Sequence, residues 1–200
     1  VAPAFGIGCK NGWVDARGQV LFMHPCLGCR HHAVAVIQHE GVGFDSLGRQ
    51  SKPHVHSSVG SPDGKYLYVS SFGNYADLPA KLQVVDLASG SVRDLDYTSV
   101  SAIAKGPDDV LYILCAGYDA DWNPLPGTIY RHDMVRNLPL GAFSTGTAFP
   151  NAYSISVASD GYIYVGCSDY VTTGDIYVLT PAGILHDKFD SQGLNPLRAL

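Results

Sequence analysis

One sequence pattern recurs along this chain, and it limits the fold more than any other feature. SPDGKYLYVSSF (61–72) returns as GPDDVLYILCAG (106–117) and ASDGYIYVGCSD (158–169), with a fainter copy in DARGQVLFMHP (15–25). Each copy is a polar turn followed by an alternating apolar strand. The turn residues Gly18, Gly64, Asp109 and Gly161 lie 46, 45 and 52 positions apart. A second strand follows each copy after a loop: AVAVIQ, LQVVDLASG, TIYRHDMV and DIYVLTPAG. A third follows in SVRDLDY and ILHDKFD, and a short apolar stretch such as SVSAIAKG or AYSISVAS precedes the turn.

Four short strands per unit of about 40–50 residues is the signature of a β-propeller blade. One such blade cannot bury both faces alone, whereas neighbours stacked in a ring bury them and leave only short edges. The chain reads as all-β, a β-propeller of four-stranded antiparallel blades. The blades fall near 5–49, 50–97, 98–143 and 144–200 and form a single domain. No segment holds a 3.6-residue period, so almost no helix is expected. Rings usually hold four to eight blades, so four blades are either a small ring or part of a six- to eight-bladed one. The second reading is favoured. Residue 1 is Val and no leader is visible, which reads as a mature or trimmed chain.

Composition narrows the function classes. Hydrophobic residues make up 46% and charged residues 16%, too apolar for a disordered chain. The net charge of −5 argues against nucleic-acid binding by a broad basic surface. No apolar run is long enough for a transmembrane helix.

In a propeller the loops joining second to third strand, and fourth strand to the next blade, share one face. The first set is HPCLGCRHH (24–32), SSFGNYADLP (70–79), CAGYDADWNPLP (115–126) and CSDYVTTG (167–174). Three of these loops carry a tyrosine at a similar point: Tyr75, Tyr118 and Tyr170. Asp119, Asp121 and Trp122 join the third loop and Asp169 the fourth. The second set adds His54, His56, Asn151 and Tyr153 nearer the axis, with His56 placed just before an inner strand. Aromatics with interspersed polar groups suit a flat amphipathic ligand. The alternative is that the tyrosines pack between blades and the aspartates cap turns. Asp86, Asp96 and Asp133, near strand ends, read as turn and edge residues.

The sharpest local cluster is His24, Cys26, Cys29, His31, His32 and His39. Covalent haem needs His directly after the second Cys, and Arg30 stands there. A zinc or copper site needs three or four soft or imidazole ligands, which Cys26, Cys29 and His31 or His32 can supply. A local disulfide or two free thiols is the other reading. His24 and His39 fit strand ends. Cys115 and Cys167 hold equivalent blade positions, beyond disulfide reach of each other, and are expected to be buried and reduced. Five cysteines leave at least one without an intrachain partner. No nucleophile elbow, phosphate-binding loop or zincin motif is present.

PHVHSSVGSPDGKYLYVSS with KLQVVDLASGSV resembles the YVTN-type repeat of YncE-like propellers. The stretches VLYILCAGYDADWNPLPGTIYRHD and NAYSISVASDGYIYVGCSDYVTTGDIYVLTPAGILHDKFDSQGLNP look like the closing blades of bacterial members. The resemblance covers roughly residues 50–200, and Gly193-Leu194-Asn195-Pro196 matches the usual end of these chains. It implies a secreted, extracytoplasmic protein, periplasmic or at the cell surface and often a lipoprotein beside an outer-membrane transporter. One branch resembles vitamin B12-capture proteins, so a corrinoid is the most concrete ligand. Three functions stay open. The first is a non-enzymatic propeller holding a small ligand or partner on its loop face. The second is a metal-dependent hydrolase of lactonase type. The third is a protein–protein interaction module of a surface assembly. A bound metal ion or corrinoid is the cofactor each of the first two would carry.

Overall fold

The computed structural model describes residues 57–71, 79–118, 123–143 and 145–196 in full, and the backbone alone of 12–14, 19–24, 32–38, 55 and 56. The chain divides into two compact units, Val1–Asp96 and Tyr97–Leu200. No helix occurs among the described residues.

The first unit holds two antiparallel sheets. The strands β1 (Gly12–Val14), β2 (Gln19–His24) and β3 (His32–Gln38) form a three-stranded sheet in chain order. The residues that would supply its fourth strand lie outside those described. The second sheet is complete: β4 (Val55–Gly60), β5 (Tyr66–Ser71), β6 (Lys81–Asp86) and β7 (Val92–Leu95), again in chain order.

The second unit holds two four-stranded antiparallel sheets. One runs β8 (Val100–Lys105), β9 (Val110–Cys115), β10 (Thr128–Asp133) and β11 (Leu138–Phe143). The other runs β12 (Ala152–Val157), β13 (Ile163–Cys167), β14 (Asp175–Leu179) and β15 (Leu185–Asp190). Each sheet is the meander of a propeller blade, as the repeat predicts.

Burial falls from the middle of a blade to its outer edge. All but the first residue of β5 and of β9 are buried, whereas every residue of β15 is exposed. A strand covered on both faces reads as a continuous apolar run, which is why YLYVSS and VLYILC stand out in the sequence. In the second unit, β12 runs beside β8. One core joins the two blades: Tyr112, Leu114, Ile129 and Phe143 from one, Ile155, Ile163, Val165, Tyr177 and Leu179 from the other, with Phe149 of the connection.

The turns follow their residues' conformational freedom. Gly64 and Gly161 take φ of +70° and +86° between first and second strands, where a side chain is strained. Asp109 takes the equivalent place with φ +60°, a conformation aspartate tolerates better than most residues. At the next turns Asp86 accepts the Ala88 and Ser89 N–H groups, and Asp133 accepts those of Val135 and Arg136. Both are turn-builders, as read from the sequence. Cys115 and Cys167 are buried free thiols at equivalent strand ends.

A repeated irregularity opens the first strand of each complete blade. Val55 pairs with Ser71 but Ser57 with Ser70; Val100 pairs with Cys115 but Ala102 with Leu114; Ala152 pairs with Cys167 but Ser154 with Gly166. His56, Ser101 and Tyr153 are therefore the extra residues of three equivalent β-bulges. Bulges bend a strand and re-aim its side chains. In the second unit, Ser99 and Asn151 precede the bulges by two residues, with φ of +54° and +51°. Their carbonyls accept the N–H of Ala116 and Ser168, the residues that follow the second strand.

Candidate functional site

Strand register puts the two loop sets at one end of each blade. In the last blade Ala152, Cys167, Asp175 and Asp190 form one row across the sheet. The connection before Ala152, the loop 168–174 and residues 191–196 all leave from that row. The blade before it is tied to the same end: the Gly127 N–H donates to the Phe149 carbonyl at 3.2 Å.

The loop 168–174 is built by its own polar side chains. The Asp169 carboxylate accepts the Val171 N–H at 2.9 Å, the Thr172 N–H at 2.8 Å and the Thr172 hydroxyl at 2.8 Å. These bonds, the Thr172 N–H first, hold its carboxyl below the usual aspartate range. The Ser168 hydroxyl accepts the Tyr170 N–H and shares its one proton between the Leu194 carbonyl and Oδ1 of Asn195. The Gly174 N–H donates to the Gly193 carbonyl, and the Ser154 hydroxyl to that of Pro196 at 2.5 Å. Residues 191–196 thus cross back from the outer strand towards the inner one and clamp the loop.

The clamped loop presents an aromatic pair. Tyr170 is 52% exposed and takes φ +63°, a conformation that bulky residues rarely adopt. Its ring meets Tyr153 edge-on, centroids 5.6 Å apart and planes at 86°. Val171 beside it is 79% exposed. The two tyrosines singled out from different loops are therefore one feature. Asn151 joins them through its carbonyl, which accepts the Ser168 N–H.

Other candidates fall elsewhere. Tyr118 pairs with Pro124 in an isolated bridge across its own loop, and the Leu125 N–H closes that loop on the Gly117 carbonyl. Asp169 builds the loop, the turn-capping alternative raised for these aspartates. His56 lies inside β4 rather than before it, because the bulge lets the strand begin two residues earlier than the apolar alternation suggests. His24 and His32 are paired backbone positions that close the cysteine loop, so that loop is shorter than 24–32. Tyr75, Asp119, Asp121, Trp122, His54, Cys26, Cys29, His31 and His39 lie outside the described residues. Sequence reading passed over Ser168, which no pattern marks, and Ser99 and Ser101. The signal of Ser99 and Ser101 is a triplet of polar, apolar and polar residues where each inner strand begins: His54-Val55-His56, Ser99-Val100-Ser101 and Asn151-Ala152-Tyr153.

Nothing among the described residues gathers three or more His, Cys, Asp or Glu side chains into a metal-binding group. No helix among them is long and apolar enough to cross a membrane.

No family model matches this chain, and no curated protein does. Solved structures do. The propeller of Dos1 matches 90% of this chain and 44% of its own length, with 9% identity and a TM-score of 0.52. A eukaryotic initiation factor matches 94% and 44%, with 16% identity and a TM-score of 0.50. A Bacteroides uniformis protein described as a candidate 6-phosphogluconolactonase matches 96% and 74%, with 15% identity and a TM-score of 0.48. The chain spans less than half the length of the first two. Identities this low carry the architecture and no activity: the chain is built as β-propeller blades.

Proposed function

We propose that this chain is the binding part of an extracytoplasmic propeller of the YncE-like kind, a single domain without catalytic chemistry of its own. It holds a flat amphipathic ligand over the end of the blades that carries Tyr153 and Tyr170. One observation carries this reading. Tyr170 is kept exposed in a left-handed backbone conformation, edge-on to Tyr153, by a loop whose polar groups are spent on holding it there. Strained, exposed and over-determined residues cluster where proteins bind, and rigid aromatics bring large contact area at low entropic cost.

The hydroxyls of Tyr153 and Tyr170 add polar groups to the rings, which suits a ligand with a broad apolar face and amide or hydroxyl rims. A corrinoid has that chemistry and is the ligand we put first. A surface partner such as an outer-membrane transporter would then receive it.

Calorimetric titration of the full-length protein with cyanocobalamin tests the proposal. One-to-one binding below about 1 μM, weakened about tenfold or more by Tyr170→Ala, is the expected result. Absence of heat at tens of micromolar, together with no displacement by other corrinoids, would overturn the corrinoid assignment.

A further inference from the structure

Arg131 lies on β10, outside the tyrosine site, and its side chain has no ion pair among the described residues. Its Nε is buried and has no hydrogen-bond partner. Its guanidinium lies over the ring of Phe143, 4.8 Å from the centroid. A buried N–H left without an acceptor is costly, and each one in a native structure calls for an explanation.

The neighbourhood has room for an anion. Arg131 is cross-strand partner to Gly141, which has no side chain and takes φ +84° at the irregularity of β11. A Cβ built at Gly141 would meet nothing within 4 Å. Leu138, on the same face two pairs along, is 54% exposed, and Leu140 beside it is 45% exposed. The other outer strands carry charges, in VRDL and LHDKFD, whereas LPLGAF has none. Pro139 and the irregularity blunt this edge against addition of another strand. What remains is a fixed cation beside exposed apolar side chains; the one carboxylate of β10 on that face, Asp133 opposite Leu138, is already engaged by the Val135 and Arg136 N–H groups and the Arg136 guanidinium.

We propose that Arg131 and the Leu138–Phe143 edge form a second recognition site, which takes a carboxylate borne on an apolar carrier, as in an acidic side chain of a partner segment. The stacked guanidinium is already oriented, so its outward N–H groups can donate in parallel to both oxygens of a carboxylate. The apolar part of the carrier covers Leu138 and Leu140.

The arginine side-chain N–H signals of the whole protein test this by NMR, with hexanoate as probe and hexylammonium as control. A saturable shift of the Arg131 Nε–H signal, assigned by its loss in Arg131→Lys, is expected with hexanoate and not with hexylammonium. Leu138→Ser should weaken hexanoate by about threefold while leaving acetate unchanged, because only the longer chain uses the apolar wall. Equal shifts at Arg131 and Arg136 would mean unspecific ion attraction and would overturn the proposal. Asp108 and Arg131 both act on the hydroxyl of Tyr112, the cross-strand partner of Arg131; an Arg131 signal that moves in Asp108→Asn without any probe would make Asp108 its partner in solution and would also overturn the proposal.

Discussion

The hydroxyl of Tyr97 lies 3.1 Å from Nδ1 of His132, whose Nε2 lies 2.9 Å from Oδ1 of Asn137. His132 is 1% exposed, and the Tyr97 ring also meets it edge-on. Asn137 takes φ +56° at the turn after β10. One buried imidazole therefore ties the chain entering this blade to the turn leading to its outermost strand. Desolvation pushes the Tyr97 hydroxyl up to about 12, so it stays protonated and able to donate. His132→Leu would remove the bond that each half-buried partner makes to the imidazole. The expected cost is about 2–3 kcal/mol in urea unfolding, and a change under about 0.5 kcal/mol would show that water replaces the imidazole.

The backbone of Tyr170 separates strain from recognition. Tyr170→Ala removes the ring and keeps the strained φ, whereas Tyr170→Gly removes both. The glycine variant should be the more stable by about 1 kcal/mol, measured by equilibrium denaturation, while both variants lose ligand. If alanine is as stable as glycine, the left-handed conformation carries no cost here.

Close packing around residues 191–196 makes a second backbone test. A Cβ at Gly166 would press on the Ser154 hydroxyl and the Pro196 carbonyl; one at Gly174 would press on the Cys167 carbonyl and the Pro196 ring. Gly166→Ala should destabilise by about 1–3 kcal/mol and make residues 191–196 susceptible to limited proteolysis. Unchanged stability and protection would mean that the segment moves aside freely.

Burial pushes the thiols of Cys115 and Cys167 up to about 12. Neither presents a thiolate near neutral pH. Peptide mapping after iodoacetamide treatment at about pH 8 should find both unmodified in the folded protein and both labelled in urea. Labelling in the folded state would reveal local opening of the strand ends.

Acid should weaken the fold through its turns. The Ser61 hydroxyl, then the side chain and N–H of Lys65, hold Asp63 at about 2 against an ordinary 3.8. Asp86, Asp133, Asp169 and Asp190 are lowered mainly by turn N–H groups. A folded-state value below the unfolded one gives stability that is complete above the ordinary value and lost as pH falls through the folded value. The thermal midpoint should therefore decline from about pH 4 to about pH 2, less steeply in Asp63→Asn. A midpoint rising on acidification in this range would contradict the assignment.

Blade architecture was legible because its causes are local. Polar turns with Gly64 and Gly161, and apolar runs such as VLYILC, are spelled out within a few residues. The arrangement of the candidate site was legible only in part. Tyr153 and Tyr170 were found by loop register, but their edge contact depends on the αL turn at Tyr170 and on the Ser168 hydroxyl. Asp169 looked like a ligand-facing carboxylate because sequence does not show which N–H groups surround it. Arg131 was invisible for the same reason: an arginine is notable here only for the carboxylate that is not beside it.

The triplets at the start of each inner strand also bear on how such a chain changes over time. In Ser99-Val100-Ser101 and Asn151-Ala152-Tyr153 the middle residue enters the sheet and the first supplies only a backbone carbonyl. The third is set out of register by the bulge: the Ser101 hydroxyl turns back on the Leu114 carbonyl, whereas Tyr153 meets Tyr170. Serine and tyrosine occupy it in adjacent blades without altering the ladder. On the binding role proposed above, mutational drift at this one position retunes what a blade recognises while the strand pairing on either side stays as it is, and exchanging the third residues between blades would move specificity without moving the scaffold.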